Sequence, residues 1–270
     1  MPLPPPHPTR TCLVSGASSG IGTEIARELA RRGHGLTLVA RRAERLRSLA
    51  EELAGAHGVR VETLPADLTD PEARATLPPA VQTLGLTVDV LVNNAGFSTR
   101  GPVHRADRGR ELLMVRTDVE AVVDLCTLFV AGMASRRQGA VLNVASTAAF
   151  QPLPNQAAYG AAKAFVLSYT HALRAETVPL GVSVTALCPG PVDTEFADVA
   201  GSDGQDLVGK LPQFLWVPAA DVARAGVDGL AAGRAVVIPG VANRVGAIAS
   251  SLAPPTVVTK VLASRLRSSR

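Results

Sequence analysis

Short, continuous runs of apolar residues alternate along the chain with longer stretches in which apolar positions recur at helical spacing. The apolar runs predict buried strands at residues 12–15, 36–40, 59–64, 88–92, 141–145, 182–188 and 235–238. The stretches between them predict helices at residues 23–32, 41–57, 70–84, 107–136, 157–178 and 219–232. Strands that are apolar throughout and alternate with helices are typical of a parallel sheet covered on both faces, so the pattern indicates the α/β class.

The same pattern sets the predicted domain boundaries. A chain of 270 residues is within the range of one large α/β domain, and no linker interrupts its middle. Residues 1–10 are proline-rich, lack the apolar run of a signal peptide, and are predicted to form a disordered or polyproline lead-in. Residues 11–240 carry the strand–helix pattern, and residues 241–270 are predicted to be a basic, amphipathic helical extension.

Charge and cysteine content limit the classes of partner. Residues 241–270 contain five basic residues and no acidic one, so the net charge of +4 arises from the extension, and we expect no nucleic-acid partner. Cys12, Cys126 and Cys188 are far apart and lack metal-ligand spacing, which predicts buried free thiols and no metal site. Free thiols favour a reducing compartment, and no uninterrupted apolar run is long enough for a membrane span. We therefore expect a soluble, cytoplasmic protein.

A glycine-rich turn, G-A-S-S-G-I-G, follows the first predicted strand and contains Gly16, Gly20 and Gly22. Backbone N–H groups in such a turn, with the positive end of the next helix, can bind a pyrophosphate, and glycine permits its close approach. An ordinary strand-to-helix connection can also contain glycines, but the position after the first strand favours nucleotide binding. The predicted site also includes the turn residues Ser18, Ser19 and Ile21.

Polar residues follow the next three strands. Arg41 and Arg42 stand where an NAD site has an acidic residue, and arginine suits the 2′-phosphate of NADP(H), which is therefore preferred, with NAD(H) possible. Both arginines could instead be solvated residues at a helix start. Asp67 is placed to accept a hydrogen bond from an adenine amino group, or could be a turn residue. Asn93 lies at the carboxyl edge of the sheet, where open α/β sheets bind ligands, and Gly96 would let the backbone approach the cofactor.

One stretch of the chain brings together a hydroxyl, a phenol and an amine. Tyr159 and Lys163 are four residues apart on a predicted helix and therefore share one face. Ser146, at the end of the fifth predicted strand, can reach that face if the helix packs back along the sheet. Alone, the tyrosine and lysine could be a helix-face pair without a function. With the glycine turn, the three residues indicate that a nucleotide cofactor and a carbonyl compound meet here.

Taken in order, these residues resemble the short-chain dehydrogenase/reductase family over about residues 10–240. The resemblance rests on Ser15-Gly16-x-x-x-Gly20-Ile-Gly22, Asp67, Asn-Asn-Ala-Gly at 93–96, Ser146, Tyr159-x-x-x-Lys163 and Pro189-Gly190 with Thr194. It implies one Rossmann-type domain with a doubly wound, seven-stranded parallel sheet, assembled as a homodimer or homotetramer through the helices at 107–136 and 157–178. The cofactor contacts that it implies include Leu68, Asn93, Ala95, Gly96, Pro189, Gly190, Val192 and Thr194.

The resemblance also implies hydride transfer between a nicotinamide and a ketone or secondary alcohol, and the residue chemistry agrees. Tyr159 is the expected general acid, although a free tyrosine has a pKa of about 10, which must be lowered for work near neutrality. Lys163, one turn away, favours the phenolate and can hold the nicotinamide ribose. Ser146 is expected to donate a hydrogen bond to the carbonyl oxygen as charge builds there.

Asp118 departs from the family pattern, which has an asparagine at this point of the long helix. In the family that asparagine fixes a helix distortion whose carbonyl holds a water linking the lysine to solvent. Aspartate is near-isosteric but only accepts hydrogen bonds when ionised, and its charge near Lys163 is expected to raise the pKa of Tyr159. We expect an active enzyme with a shifted pH optimum. The alternative is a catalytically weak NADP-binding regulator or scaffold, while a sugar-nucleotide epimerase would need a different glycine spacing and a larger C-terminal domain.

Apolar residues are predicted at the substrate end, namely Phe97, Phe150, Leu153, Pro189 and the 190–217 segment with Phe196, Leu207, Leu211, Phe214 and Trp216. They either line a pocket beneath a mobile lid or simply pack the segment down. Such a pocket would suit an apolar steroid, 3-oxoacyl or aromatic carbonyl substrate better than a small charged acid.

The C-terminal extension contains a helical stripe of Val241, Val245, Ile248 and Leu252, and a second stripe with basic residues opposite follows Pro254. The extension could cover the substrate mouth, pack on a partner subunit or lie on an anionic membrane surface. Packing on the protein is the interpretation favoured by the sequence alone.

Overall fold

The strands in the middle of this protein's sheet are buried along almost their whole length, as expected for a sheet covered on both faces, whereas the edge strand at residues 61–65 is only partly buried. The computed structural model describes residues 3–195 and 212–267, with backbone only at residue 261 and residues 263–267. Seven parallel strands form one sheet in the order β3-β2-β1-β4-β5-β6-β7. They are β1 (Arg10–Ser15), β2 (Leu36–Ala40), β3 (Val61–Pro65), β4 (Thr87–Asn93), β5 (Gly139–Val144), β6 (Val182–Leu187) and β7 (Val236–Val237). The predicted seven-stranded, Rossmann-type architecture is confirmed.

Helices cover both faces of the sheet. They are α1 (Gly20–Arg31), α2 (Ala43–His57), α3 (Pro71–Ala75), α4 (Leu77–Thr83), α5 (Arg108–Val115), α6 (Ala121–Arg136), α7 (Ala157–Thr177), α8 (Ala219–Ala231), α9 (Val241–Leu252) and α10 (Pro255–Arg267). Apolar residues of α1, α2 and α8 form one core with the sheet, and those of α4, α6 and α7 form a second core on its other face. Among the described residues, none of the helices combines the length and apolarity needed to span a membrane.

The strand order positions the ligand crevice. β1 pairs with β2 on one side and with β4 on the other, so the winding of the chain reverses beside β1. In open α/β sheets, ligands bind outside the carboxyl ends of the strands at this point. The crevice therefore lies where β1, β4 and β5 end, next to the glycine turn.

Two helices differ from the prediction for identifiable reasons. The helix predicted at residues 70–84 is divided into α3 and α4, because Pro78 lacks the N–H that would continue the hydrogen-bond ladder. Asp70 caps α3 as predicted, and its carboxylate accepts the Glu72 N–H at 2.9 Å. The helix predicted at residues 107–136 is interrupted by a π-helical segment, Arg116–Glu120, which separates α5 from α6.

The two ends of the chain pack on the domain in unexpected ways. Leu3 contacts the first core, and the His7 carbonyl accepts the Arg10 N–H at 3.0 Å, so the proline-rich lead-in contacts the domain. In α9, the stripe expected to pack on the protein faces outward instead. The inward face consists of smaller side chains, Asn243 and Ala247, and Asn243 lies close to Gly190 and Gly240.

Candidate active site

The glycine turn between β1 and α1 adopts the backbone conformations that its sequence predicts. Gly16 and Gly20 have φ angles of +65° and +58°, a region that favours glycine. A Cβ atom placed on Gly20 would lie 3.3 Å from Thr194, so the residues around 194 reach this turn. Ser19 precedes α1 with extended backbone and makes no capping hydrogen bond through its side chain. The first N–H groups of α1 are therefore available to a phosphate.

Gly22 has no room for a side chain, which gives a direct stability test. A Cβ atom there would lie 2.3 Å from the Gly16 carbonyl oxygen and 2.4 Å from Asn94 Nδ2. We expect Gly22→Ala to destabilise the fold by about 1–3 kcal/mol through overpacking, measured by urea unfolding. Gly55→Ala is the matched control, because its Cβ would meet nothing within 4 Å in α2. The control should be neutral or stabilising by up to about 1 kcal/mol, and equal losses in both variants would refute this account.

The loop after β4 is joined to the glycine turn by hydrogen bonds. Ser15 Oγ accepts the N–H groups of Asn94 and Ala95 at 3.0 and 3.1 Å. Asn94 Nδ2 donates to the carbonyl oxygens of Ser15 and Gly16 at 3.0 and 3.2 Å. These bonds hold the Asn-Asn-Ala-Gly loop and the glycine turn together as one wall of the crevice.

Arg42 projects toward the same turn. Its Nη2 lies 2.7 Å from Ser19 Oγ and 3.0 Å from Ser18 Oγ. Glu195 bridges Arg42 at 2.9 Å and Arg45 at 2.7 Å, and hydrogen bonds from both guanidinium groups lower the pKa of Glu195. This cluster lies at the end of β2, where sequence reasoning placed the 2′-phosphate. Arg45 was missed, although it follows Arg42, the residue just before α2, by one helical turn.

Asp67 and Leu68, which follow β3, make contacts within the protein. Asp67 Oδ1 accepts the N–H and hydroxyl of Thr69 at 3.0 and 2.9 Å. This carboxylate therefore shapes the turn, in line with the alternative interpretation of Asp67 as a turn residue. Burial opposes its charge, but the bonds from Thr69 and the charge of Arg41 lower the pKa of Asp67. The side chain of Leu68 is buried in the second core, so only its backbone can face a ligand. Arg41 itself is exposed.

Two residues predicted to contact the cofactor serve other contacts. The Asn93 side chain is buried and its Nδ2 donates to Asn143 Oδ1 at 2.8 Å, so only the Asn93 backbone remains available to a ligand. Gly96 is required by Asp118, because a Cβ on Gly96 would lie 2.9 Å from both carboxylate oxygens. The sequence analysis explained Gly96 by a close approach of the cofactor. It missed Asn143, although a single asparagine in an otherwise apolar strand could have indicated a buried polar contact.

Ser146, Tyr159 and Lys163 come together at the carboxyl end of β5. Ser146 Oγ accepts the Ala148 N–H at 3.1 Å and is also hydrogen-bonded to the Tyr159 side chain. Lys163 Nζ donates to the Val144 carbonyl at 3.2 Å and lies 5.7 Å from the centre of the Tyr159 ring. Tyr159 and Lys163 are both buried within α7. A carbonyl oxygen placed at this cluster would meet a hydroxyl and a phenol.

Asp118 completes the cluster from the π-helical segment. Its carboxylate is fully buried, Oδ1 accepts the Phe97 N–H at 3.0 Å, and Oδ2 lies 2.9 Å from Lys163 Nζ. The helix distortion that the family resemblance attaches to this position is therefore present with aspartate in place of asparagine. The result is a buried ion pair, Asp118–Lys163, directly behind the phenol.

Burial and charge act against each other in this cluster. Burial raises the pKa of Tyr159, Lys163 opposes this effect, and Asp118 adds to it. Burial also raises the pKa of Asp118, against the pull of Lys163. For Lys163, burial disfavours the ammonium, but Asp118 and Tyr159 outweigh it and raise the pKa, so the lysine stays charged. Arg100, which sequence reasoning missed, also favours the Tyr159 phenolate.

The loop after β6 closes the crevice from the other side. The Pro189 carbonyl accepts the Thr147 N–H at 2.9 Å, and Gly190 lies so close to Asn243 that a Cβ there would be 2.4 Å from its side chain. Val192 packs against the first core. The loop thus connects the cluster at β5 with the start of α9.

Only some of the residues predicted at the substrate end lie together in the part of the chain that the structure describes. Phe97 and Leu153 pack in a small apolar cluster with Tyr159, whereas Phe150 packs against the second core. Phe214 is 72% exposed. Phe196, Leu207 and Leu211 lie outside the described residues.

The sheet reversal beside a glycine turn defines the class of Rossmann-type nucleotide-binding enzymes. The family model described as short chain dehydrogenase matches residues 10–204, and the chain belongs to this family of oxidoreductases, which act on CH–OH and C=O groups. The chain is 39% identical over 189 residues to a putative ketoacyl reductase of granaticin polyketide synthase from Streptomyces violaceoruber, covering 69% of each chain.

The chain is also similar to a hydroxysteroid dehydrogenase and to a solved short-chain dehydrogenase. Over 67% of the chain and 60% of the relative, it is 33% identical to the 17-beta-hydroxysteroid dehydrogenase type 3 of Mus musculus. A short-chain dehydrogenase from Sphingobium yanoikuyae, solved in complex with NADPH, superimposes with a TM-score of 0.79 at 33% identity, covering 90% of this chain and 93% of that one.

Proposed function

We propose that this protein is an NADP(H)-dependent oxidoreductase that interconverts an apolar ketone and the corresponding secondary alcohol. The observation that carries the proposal is the buried cluster of Ser146, Tyr159 and Lys163 beside the glycine turn. Reduction of a ketone needs a proton donor at the oxygen. The phenol is the one group in the cluster that can give up a proton and then be reprotonated through its neighbours. The bound nicotinamide would supply the hydride.

In the proposed reaction, Tyr159 gives its proton to the carbonyl oxygen while the Ser146 hydroxyl donates a hydrogen bond to it. The phenolate that remains is stabilised by the Lys163 ammonium, which acts against the burial that raises the Tyr159 pKa. Lys163 also offers a donor to a ribose hydroxyl. In the oxidation direction the phenolate accepts the alcohol proton, so the same groups serve both directions.

The residues present fit a bound NADP(H) molecule. The positive φ angles of Gly16 and Gly20 and the uncapped N-terminus of α1 suit the pyrophosphate, with contributions from Ser18, Ile21 and the backbone at 93–96 and 189–194. Arg42, with Arg45, would hold the 2′-phosphate. The NADPH-bound relative from Sphingobium yanoikuyae supports this choice.

Glu195 occupies the guanidinium groups that the 2′-phosphate would need, so its removal should strengthen NADPH binding. We expect Glu195→Gln to lower the Kd for NADPH, and Arg42→Ala to raise it, each by on the order of tenfold, with little change for NADH. Fluorescence titration with both reduced cofactors measures the effect. Arg47→Ala, on the exposed face of the same helix, is the control and should change neither Kd. Tighter binding of NADH than NADPH by the unmodified protein would overturn the cofactor assignment.

The substrate class rests on the apolar surroundings of the phenol. Phe97 and Leu153 pack beside Tyr159, and ketoacyl and hydroxysteroid compounds are named for the relatives from Streptomyces and mouse. The test is a spectrophotometric screen of NADPH oxidation with ketosteroids, 3-oxoacyl thioesters, aromatic ketones and a small keto acid. Turnover only with the small keto acid would contradict the apolar-substrate proposal.

Assembly and location complete the proposal. Leu112, Val115 and Phe165 are exposed apolar residues on α5 and α7, and Phe165 stacks on Tyr169 with ring centres 6.0 Å apart. This surface supports a homodimer or homotetramer through the long helices. All three cysteines are buried free thiols, which supports a cytoplasmic location.

A further inference from the structure

Helix α9 presents an apolar stripe to solvent on the face opposite to its buried one. Val241, Val245, Ile248 and Leu252 recur at helical spacing and are 75%, 61%, 51% and 80% exposed. The buried face is anchored by Asn243, whose Nδ2 donates to the Leu215 and Pro239 carbonyls at 2.9 and 3.2 Å. Because these bonds fix the rotation of the helix, the stripe cannot turn inward without breaking them.

Exposed large apolar side chains are concentrated at this stripe rather than scattered evenly over the surface. Of the twelve large apolar side chains exposed in the described residues, five lie between Val241 and Val257, on α9 and the start of α10. Contiguous exposed apolar surface marks an interaction site more often than isolated residues do. The other seven are distributed over the rest of the described chain, with Phe214 just before α8.

The charge of the same segment is of one sign. Residues 241–270 contain five basic residues and no acidic one. Arg244 and Lys260 are exposed, and Arg244 lies next to the apolar stripe on the surface of α9. An amphipathic helix with apolar residues outward and basic residues beside them is the pattern that binds the interface of a bilayer with anionic lipids.

We propose that α9 and α10 dock this enzyme on an anionic membrane surface, with the stripe Val241, Val245, Ile248 and Leu252 inserted at the headgroup–acyl boundary. A second copy of the chain fits the surface less well, because pairing two such segments would bring their like charges together without an acidic residue to balance them. Anionic headgroups balance that charge directly. The docking itself does not depend on the reaction proposed above, whereas its consequence for substrate entry rests on the proposed apolar substrate.

The position of α9 gives the docking a consequence for substrate entry. Ser250 Oγ lies 3.0 Å from Gln151 Oε1, next to the 3-10 turn Thr147–Phe150 that follows Ser146. Asn243 packs on the Gly190 loop at the other end of the helix. Docking through the outer face of α9 therefore places the substrate side of the crevice near the bilayer, where apolar carbonyl compounds partition.

The test is vesicle co-sedimentation of the full chain. We expect it to pellet with phosphatidylcholine vesicles that contain phosphatidylglycerol, to remain in solution with phosphatidylcholine alone, and to be released as NaCl is raised. Ile248→Asp with Leu252→Asp should lower the vesicle partition coefficient about tenfold or more, because both side chains lose their insertion and anionic lipid repels the new charge. Val245→Ser with Leu252→Ser, a milder pair, should weaken binding without added charge.

The matched control is Val178→Asp with Leu180→Asp, two exposed apolar residues at the amino end of β6, whereas α9 follows the carboxyl end of β7. It adds the same charge and should bind vesicles like the unmodified chain. Thermal unfolding and NADPH binding show that each variant is folded. Equal partition of all variants, or equal binding to neutral vesicles, would overturn the proposal. So would a sedimentation-velocity dimer that is present in the unmodified chain and lost only in the α9 variants, since a second copy would then cover the stripe.

Discussion

Replacing Tyr159 by phenylalanine is expected to lower ketone turnover by about 10²- to 10⁴-fold, the usual contribution of a positioned general acid. The phenol is the only group of the cluster that can deliver a proton to the carbonyl oxygen, because Lys163 is held between Asp118 and the Val144 carbonyl. Phenylalanine keeps the ring that packs against Phe97 and Leu153, so the fold should be retained. The kcat for NADPH-dependent reduction of the best ketone measures the loss, and the Kd for NADPH should change little.

The chain provides its own control for this substitution. Tyr169 is the other of its two tyrosines, lies on the same helix and stacks on Phe165. Tyr169→Phe also removes one phenolic hydroxyl group, but outside the cluster of Ser146, Tyr159 and Lys163, and should leave turnover unchanged. If Tyr159→Phe kept full turnover, Tyr159 would not be the proton donor. If the unmodified chain bound NADPH tightly but reduced no carbonyl compound in the screen, the regulator or scaffold alternative would replace the enzyme.

The architecture was predictable from the sequence because its signals are local and repeated. Most strands of the sheet are largely apolar runs, and the strands that end at the crevice are followed or closed by a polar residue, as at Ser15, Asn93 and Ser146. The division of the helix at residues 70–84 was also available from Pro78, whose missing N–H was not weighed against the helical pattern.

Other features depended on side-chain direction, which a linear pattern does not specify. Asn93 and Asn94 are adjacent and chemically identical, yet Asn93 points into the core toward Asn143 and Asn94 points to the glycine turn. The pairing of Glu195 with Arg42 and Arg45 joins residues about 150 positions apart and leaves no signal in either segment. The α9 stripe was recognised by its period, but the period alone could not show which face of the helix packs.

The interpretation of Asp118 was sharpened most by the three-dimensional arrangement. The sequence predicted a charge near Lys163, and the structure shows a buried ion pair with an Oδ2–Nζ distance of 2.9 Å. Replacing the carboxylate by an apolar side chain would leave the Lys163 ammonium buried without a counter-charge. Asp118→Leu is therefore expected to lose about 3–5 kcal/mol of unfolding free energy, measured by urea denaturation. A loss below about 1 kcal/mol would show that the pair contributes no more than a surface contact.

Asp118→Asn isolates the charge, because asparagine can still accept the Phe97 N–H and keep the π-helical segment. Burial is the main cause of the raised Tyr159 pKa, Lys163 lowers it, and the Asp118 charge raises it further. Loss of that charge should lower the Tyr159 pKa. Ketone reduction needs the protonated phenol, so its alkaline limb should move to lower pH, and the acid limb of alcohol oxidation should move the same way. An unchanged profile in both directions would show that Asp118 positions the lysine without tuning the phenol, and a shift to higher pH would show that Lys163 had lost its proton.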